Sequence, residues 1–249
     1  MTYHPIARVS FVQPDSQELP AGRWDGQRER RRAEFVEAAL AAIAEHGPQT
    51  STEQIAVYVG VTRTKLYRHF DGAADLQRAV ARRAGDMIIA ELAPVWQPLG
   101  SMAQIIEAGI GAYVRFLVGH RNLYRYLARC SLSEGSDAPD AIADIKMSAG
   151  LHLSRVFAVY LEAFGVDTDA ELLAMGIVGM AETSVSYWLD QPGQTSQERL
   201  IESLVRRIWL IVEDSLRAGG VYLDSEEPLP EPGEIARNVQ RYRDPARLP

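Results

Sequence analysis

The sequence predicts an all-α protein in two parts, a small N-terminal helical unit followed by a larger helical bundle. Apolar residues recur at helical spacing through most of the 249 residues, and no alternating strand pattern competes with them. Within residues 50–70, a glycine separates two short helical patterns, which predicts two helices joined by a tight turn. Charge also divides the chain, because residues 21–83 carry 11 Lys and Arg against 8 Asp and Glu, whereas residues 84–249 carry 14 against 23.

Composition narrows the class of protein. With 47% hydrophobic residues, the chain can bury one sizeable core or two modest ones. No stretch of about eighteen apolar residues lacks a charge or a string of polar residues, and the N-terminus lacks the apolar core of a signal peptide. Cys130 is the single cysteine and cannot form an internal disulfide, which fits a reducing compartment. We therefore expect a cytoplasmic protein without a membrane partner.

The first helix follows an irregular segment. Residues 1–26 contain three prolines and two glycines with no sustained period, so they predict a flexible arm. Apolar residues then recur at helical spacing from Phe35 to Ile43, and the pattern stops at Gly47, a good C-terminal breaker. The sequence thus predicts one long helix before the turn region.

The next two helices are short. Either Thr50 with Glu53 or Ser51 with Gln54 can form a capping box that starts the second helix, which ends at Gly60. In the third helix, Leu66 and Phe70 share one face with Thr62, and the opposite face carries Thr64, Lys65 and Arg68. The apolar face is expected to dock on the first two helices. The cationic face is then left to solvent or to an anion.

This helix-turn-helix carries a family resemblance. The run TSTEQIAVYVGVTRTKLYRHFDGAADL, residues 50–76, resembles the DNA-binding signature of the TetR family of bacterial regulators. The shared features are a Thr/Ser-capped helix, IA, a GV[ST] turn, LY.HF and a leucine six residues after the phenylalanine. Two positions depart from the pattern: Val59 replaces a usual small alanine, and Ala73 stands where a lysine commonly contacts phosphate. The resemblance implies an operator-binding protein whose third helix enters the major groove.

The predicted DNA-binding residues lie in or beside the two short helices. Base edges are assigned to Arg63, Thr64, Lys65 and Arg68, and phosphates to Tyr67 and His69. The full predicted set is Ser51, Thr62, Arg63, Thr64, Lys65, Tyr67, Arg68 and His69. The arginines at 28, 30, 31 and 32 either follow the phosphates or the minor groove, or form a solvated start of the first helix.

The rest of the chain repeats the helical period. Residues 72–93 predict a helix that links the two parts and ends before Pro94. Three further helical patterns follow, and residues 133–139 predict a loop among them. A predicted capping box of Thr168 with Glu171 then opens the pattern at 169–190, and residues 197–220 form the last long helix. The final 29 residues are too rich in proline and charge to extend the bundle, and are expected to be mobile or to lie across it.

The bundle has two predicted roles. Its last two long helices resemble the family's dimerisation pair, so we expect a homodimer that binds a palindromic operator of double-stranded DNA. It is also expected to hold a hydrophobic small-molecule effector, with ordinary core packing as the alternative for each lining residue. The predicted ligand-binding residues are Tyr113, Phe116, Leu117, Tyr124, Leu127, Phe157, Met180, Ser184 and Trp188. Residues 176–190 are similar to helices of actinobacterial TetR regulators of lipid metabolism, which implies a fatty acid or acyl-CoA.

The predicted organisation has four segments: a flexible arm at 1–26, a helix-turn-helix DNA-binding domain at 27–75, a helical ligand-binding and dimerisation domain at 76–220, and a Pro-rich tail at 221–249. A ligand-responsive regulator, most simply a repressor, is the predicted function. The alternatives are a sensor of hydrophobic compounds that represses an efflux gene, and a helical acyl-binding carrier or enzyme without DNA binding. The sequence lacks HExxH, GxSxG and strand-borne GxGxxG patterns and Cys/His clusters, so we predict no catalytic residue, metal or cofactor.

Overall fold

The computed structural model describes residues 23–96, 98–131, 141–191 and 193–244, and within them the regular structure is helical. The helices are α1 (Arg23–His46), α2 (Thr52–Tyr58), α3 (Arg63–Leu66), α4 (Gly72–Glu91), α5 (Ala93–Trp96), α6 (Met102–Gly119), α7 (Arg121–Ser131), α8 (Ala141–Phe164), α9 (Ala170–Asp190), α10 (Gln197–Ala218) and α11 (Pro232–Arg237), followed by a 3₁₀ turn (Val239–Arg243). Most of the predicted arm and the predicted loop at 133–139 lie outside the described residues.

Helix starts follow from side chains that accept the first free amides. At α2, the Ser51 hydroxyl accepts from the Gln54 amide, and the Gln54 side chain accepts from the Ser51 amide. Thr50 does not take this role; its hydroxyl instead donates to the Gly47 carbonyl. The predicted Thr168–Glu171 box at α9 is wrong, because Asp169 is the N-cap and accepts from the amides of Glu171 and Leu172. A carboxylate one residue further along satisfies two amides at once.

Helices α1, α2 and α3 form a small unit, here called the head. Its core is completed by α4 and by three residues of α7. The buried residues of this core are Phe35, Val36, Ala39, Ala42, Ile43, Ile55, Ala56, Leu66, Phe70, Leu76, Ala79, Val80, Ala81, Ala84, Leu123, Tyr126 and Leu127. Helix α1 begins at Arg23, four residues before the predicted start of the DNA-binding domain.

Helices α5 to α10 form the body, and α4 joins it to the head. In the body α8 packs along α9, and α6 packs along α10. The inward stripe of α10 is fully apolar, with Leu200, Leu204, Ile208, Val212 and Leu216 buried. Such a stripe at i, i+4 and i+8 spacing buries one face of the helix against its neighbours.

By length and composition alone, α6 and α9 are apolar enough to cross a bilayer. Both carry ionisable residues, however, and both pack on other helices of the body, with Ile110 and Val114 of α6 and Val185 of α9 buried there. Core helices of bundles pass the same composition test. Packing within the body therefore accounts for the apolar character of α6 and of one face of α9, whereas another face of α9 leaves Leu172 and Tyr187 exposed.

The segment after α10 packs on the body. It includes α11 and buries Val221, Leu223, Ile235 and Tyr242. Of the two outcomes expected for this segment, its described part, residues 221–244, lies across the bundle. The prolines and charged residues of this segment lie along an irregular path, and its few apolar residues make the contacts with the body.

Candidate DNA-binding surface and ligand cavity

The turn between α2 and α3 presents α3 outward. Gly60 adopts a φ of 72°, a conformation that favours glycine, and Val61 donates its amide to the Ala56 carbonyl at 2.9 Å. Thr62 then caps α3 by accepting the Lys65 amide at 3.3 Å. The predicted sites Ser51 and Thr62 are therefore exposed caps that set the positions of α2 and α3.

The two faces of α3 are segregated. Leu66 is 0% exposed and Phe70 is 2% exposed, so this face is fully packed in the head. The four residues assigned to base edges, namely Arg63, Thr64, Lys65 and Arg68, are all exposed. The α-helical part is one turn long, and the chain continues to His69 through i→i+3 hydrogen bonds such as His69 to the Leu66 carbonyl at 3.0 Å.

The two residues assigned to phosphates are half-buried. Tyr67 lies under Arg63, whose guanidinium carbon is 5.2 Å from the ring centroid. His69 packs on Phe35, with ring centroids 5.1 Å apart, and its Nδ1 is buried without a hydrogen-bond partner among the described residues. A phosphate contact by His69 would thus use Nε2.

The pKa of His69 is lowered. Burial is the largest cause, because it penalises the charged imidazolium, and the nearby positive charges of Arg28, Arg31, Lys65 and Arg32 act in the same direction. His69 is therefore a neutral packing residue near pH 7 in the free protein. His69 packs against the core of the head, and it is also a candidate for contacting DNA.

The four arginines at 28, 30, 31 and 32 have different roles, and they lie inside α1 rather than before it. Arg28 and Arg30 are exposed, and Arg31 is exposed and paired with Glu34 at 2.5 Å. Arg32 does not form part of a solvated helix start, because this side chain donates to Asp75 at 2.7 Å and to the His69 carbonyl. It joins α1, the end of the recognition segment and α4. A contact between Arg32 and DNA stays a prediction.

The body contains a partly open, apolar cavity of about 210 Å³. Residues from α4 to α10 line it, together with two leucines of the C-terminal segment. Six of the nine predicted ligand-binding residues contribute to the wall: Tyr113, Phe116, Leu117, Tyr124, Leu127 and Phe157. Whether they contact a ligand stays a prediction.

The other three predicted residues, on α9, do not line this cavity. The cavity meets α9 between Leu173 and Glu182, so Ser184 and Trp188 lie beyond its end. Trp188 instead donates its indole N–H to the Thr195 carbonyl at 2.7 Å. Met180 is about 100° around the helix from the lining residue Ala181 and packs on the body's core.

One part of the cavity wall is polar, and the sequence reasoning missed its two charged members. The Tyr124 hydroxyl donates to Glu182 at 3.0 Å, and Lys146 lies 3.5 Å from the same carboxylate. Burial raises the pKa of Tyr124 to about 12, and burial together with Glu182 raises the pKa of Tyr113. We call Tyr113, Tyr124, Lys146 and Glu182 the polar cluster.

Helix α7 connects the cavity to the head. Leu123 and Leu127 belong both to the head's buried core and to the cavity wall, as does Ala84 of α4. Asn122 donates to the Ala44 carbonyl of α1 at 2.9 Å, and Arg129 donates to Gln49 at 2.6 Å. Helix α7 thus contacts the head through both apolar packing and hydrogen bonds.

Known proteins similar to this chain are regulators with a helix-turn-helix. The model of a family described as bacterial regulatory proteins, tetR family, matches residues 35–80. The chain is 29% identical over 217 residues to Rv0472c, an uncharacterised HTH-type transcriptional regulator of Mycobacterium tuberculosis, covering 84% of this chain and 89% of the relative. It is 23% identical over 184 residues to FasR, an HTH-type transcriptional activator of Mycolicibacterium smegmatis, covering 73% and 83%.

Solved structures share the fold. A tetR-family transcriptional regulator from Streptomyces coelicolor superposes with a TM-score of 0.60 at 22% identity, covering 89% of this chain and 92% of that one. FadR from Bacillus subtilis, solved in complex with stearoyl-CoA, superposes with a TM-score of 0.55 at 18% identity, covering 72% and 97%. The helical head and body are therefore an arrangement that these proteins have in common.

Proposed function

Because this chain belongs to the TetR family of bacterial transcriptional regulators, a family of DNA-binding regulators and not of enzymes, we propose that it is a dimeric regulator whose operator affinity is set by a hydrophobic molecule bound in the body. The observation that carries the proposal is that Ala84, Leu123 and Leu127 belong at once to the head core and to the cavity wall. A molecule that displaces these residues also displaces the head.

DNA binding is assigned to the exposed face of α3. Arg63 and Lys65 of α3, and Arg68 in the turn that continues it, are exposed above a fully buried Leu66, so the helix can enter a groove without unpacking. Arg and Lys side chains favour guanine edges in the major groove. Arg28 and Arg30 on α1 add exposed positive charge that suits the flanking phosphates.

Dimerisation is assigned to the outward faces of α9 and α10. Leu172 is 72% exposed, Tyr187 is 64% exposed, and Leu210 of α10 is 50% exposed. Between the first two, Gly176 and Gly179 have no atom within 4 Å of the site where a Cβ would stand, so a partner helix can approach closely. A two-fold dimer through this face would present two heads to half-sites about 34–36 Å apart on a palindromic operator.

The effector is proposed to be a fatty acid or acyl-CoA. Support comes from the cavity wall, whose described residues are apolar apart from the polar cluster, the Tyr160 hydroxyl and the Trp96 indole N–H. The stearoyl-CoA complex of the structurally similar FadR provides a precedent in this fold. Such an effector acts only through its preference for one of two conformations, with a coupling of roughly 1–3 kcal/mol.

One observation favours a second candidate, a regulator that senses hydrophobic cationic compounds and represses an efflux gene. Glu182 lies in the cavity wall with its side chain only 13% exposed, and a carboxylate there attracts a ligand cation. Lys146 already neutralises this carboxylate in part. We therefore rank the fatty acid or acyl-CoA first.

The proposal is tested by titrating fatty acids, acyl-CoAs and hydrophobic cations into the protein, with and without operator DNA. We expect a long-chain acid or acyl-CoA to bind, and its affinity to change about 5–150-fold when operator is present. Val178→Trp, inside the cavity wall, should abolish binding, whereas the matched Val159→Trp on the exposed face of α8 should not. Preferential binding of cations would favour the second candidate, and operator binding unaffected by every ligand would refute the effector assignment.

A further inference from the structure

The segment that follows α10 is held in place at two ends. Near its start, the Ala103 amide donates to the Ser225 carbonyl at 3.0 Å, and the Leu229 amide donates to the Gly100 carbonyl at 2.8 Å. Ser101 and Pro228 form an antiparallel bridge between these two bonds. The segment is therefore attached by backbone hydrogen bonds to the N-terminus of α6.

The far end of the segment is anchored on α8. Arg243 donates to the carbonyls of Phe164 and Gly165 at 3.0 and 3.2 Å, and also to the Gly219 carbonyl. Tyr242 is 2% exposed and packs edge-on against Phe164, with ring centroids 5.3 Å apart. These contacts fix the path of residues 221–244 over the body.

Two side chains of this segment, Leu223 and Leu229, line the cavity. They lie at the end of the body opposite the polar cluster, as two helices indicate independently. On α6 the segment pairs with residues 100–103, whereas Tyr113 lies ten residues further along, about 15 Å at ~1.5 Å per residue. On α8, Lys146 lies near the N-terminus, whereas Phe164, which contacts the anchor, is the last residue of the helix.

The cavity is thus polarised. Its polar cluster can hydrogen-bond a carboxylate, hydroxyl or thioester oxygen through Tyr113 and Lys146. At the other end the described lining side chains are apolar apart from the Tyr160 hydroxyl and the Trp96 indole N–H, and they include Leu223 and Leu229. A linear apolar molecule with one polar end matches this distribution.

We propose that Leu223 and Leu229 form the end wall of the ligand cavity and set the maximum length of the ligand's apolar chain. This inference rests on the proposed function, because it requires that the cavity bind a chain-like ligand. Leu223 is buried and Leu229 is half-buried. A wall side chain excludes any ligand methylene that would overlap it, whereas truncating that side chain makes room for a longer ligand chain. Residues 221–231 thereby determine specificity without contacting DNA.

The test measures the affinities of saturated fatty acids of increasing chain length for the wild-type protein and for three variants. Leu223→Ala and Leu229→Ala should each move the tightest-binding acid to a longer chain. Affinity for longer acids should rise, by roughly tenfold for one methylene that the wild-type wall excludes. Leu229→Phe keeps the wall apolar but introduces a larger side chain that shortens the cavity, so it should move the optimum to a shorter fatty acid.

A matched control is available beside the segment. Leu99 is 80% exposed and is not part of the cavity wall, so Leu99→Ala makes the same chemical change outside the cavity and should leave the optimum unchanged. Isothermal titration calorimetry on the full chain measures each affinity, and circular dichroism verifies that each variant is folded.

The outcomes separate the two proposals. An unchanged optimum in Leu229→Ala and Leu229→Phe, with wild-type binding intact, overturns the end-wall inference while the proposed function stands. If the wild-type protein binds no fatty acid of any length, the lipid effector and the end-wall inference both fail.

Discussion

The guanidinium of Arg32 donates to Asp75 at 2.7 Å and lies over the Phe70 ring, 4.4 Å from its centroid. The same side chain donates to the His69 carbonyl, so one arginine of α1 contacts both α4 and the segment that follows the recognition helix. Hydrogen bonding to Arg32 is the main cause that lowers the pKa of Asp75. This contact holds the recognition helix in register with the helix that leads into the body.

Arg32→Ala is expected to destabilise the head by about 1–3 kcal/mol, because it removes hydrogen bonds to a carboxylate whose side chain is only 14% exposed. Urea unfolding followed by circular dichroism measures this change. The control is Arg30→Ala, an exposed arginine of the same helix, which should stay within about 0.5 kcal/mol of wild type. Equal effects of the two substitutions would contradict the structural role of Arg32.

Leu66→Ala is expected to cost about 2–5 kcal/mol of stability, because Leu66 is 0% exposed and truncation leaves a cavity in the head core. Val57 on α2 is 74% exposed, so Val57→Ala serves as the truncation control with little effect. Thermal unfolding compares the variants. A Leu66→Ala protein as stable as wild type would mean that α3 does not dock through this face.

The lowered pKa of His69 predicts a pH dependence of stability. Since the unfolded chain has the ordinary pKa of 6.5, it takes up a proton before the folded protein does as pH falls. The contribution of His69 is therefore fully present above pH ~6.5 and is lost as pH falls through the folded-state value. His69→Gln should flatten this part of the stability profile below pH ~6.5, and a slope that persists in the variant would refute the assignment.

The apolar face of α9 is expected to mediate dimerisation. Tyr187 is 64% exposed in the single chain, and a charge at this position would be buried in the proposed dimer. We expect light scattering at micromolar concentration to give a dimer for wild type and a monomer for Tyr187→Glu. Val118→Glu, on an exposed position of α6, should remain dimeric. A monomeric wild-type protein would rule out this interface.

The sequence predicted well those features that depend on local patterns. Helical period located the long helices, and Gly60 defined the turn, because a positive φ is set within a few residues. Capping was predicted less fully: two pairs were left open at α2, of which the structure has Ser51–Gln54, and the Thr168–Glu171 pair at α9 was wrong. The segregation of Leu66 from Lys65 follows from helical geometry alone. The family resemblance likewise rested on contiguous residues, and the matched family model covers residues 35–80.

Features that join distant residues could not be predicted in this way. Arg32 and Asp75 are 43 positions apart, and Lys146 and Glu182 are 36 apart. Their pairing depends on how helices pack, which periodicity does not specify. The same limit explains why Ser184 and Trp188 were predicted to line the cavity but do not. Their position relative to the cavity depends on where it ends along α9, and helical period does not specify that.

The central claim, that the exposed face of α3 reads DNA, is tested most directly by fluorescence anisotropy with DNA that flanks the protein's own gene. Lys65→Ala/Arg68→Ala should weaken binding by about 1–3 kcal/mol per residue without lowering the melting temperature. The charge-matched control Arg115→Ala/Arg155→Ala alters two exposed arginines of α6 and α8 and should bind as wild type does. Operator affinity that is unchanged in the Lys65/Arg68 variant, or lowered equally in the control, would contradict the claim.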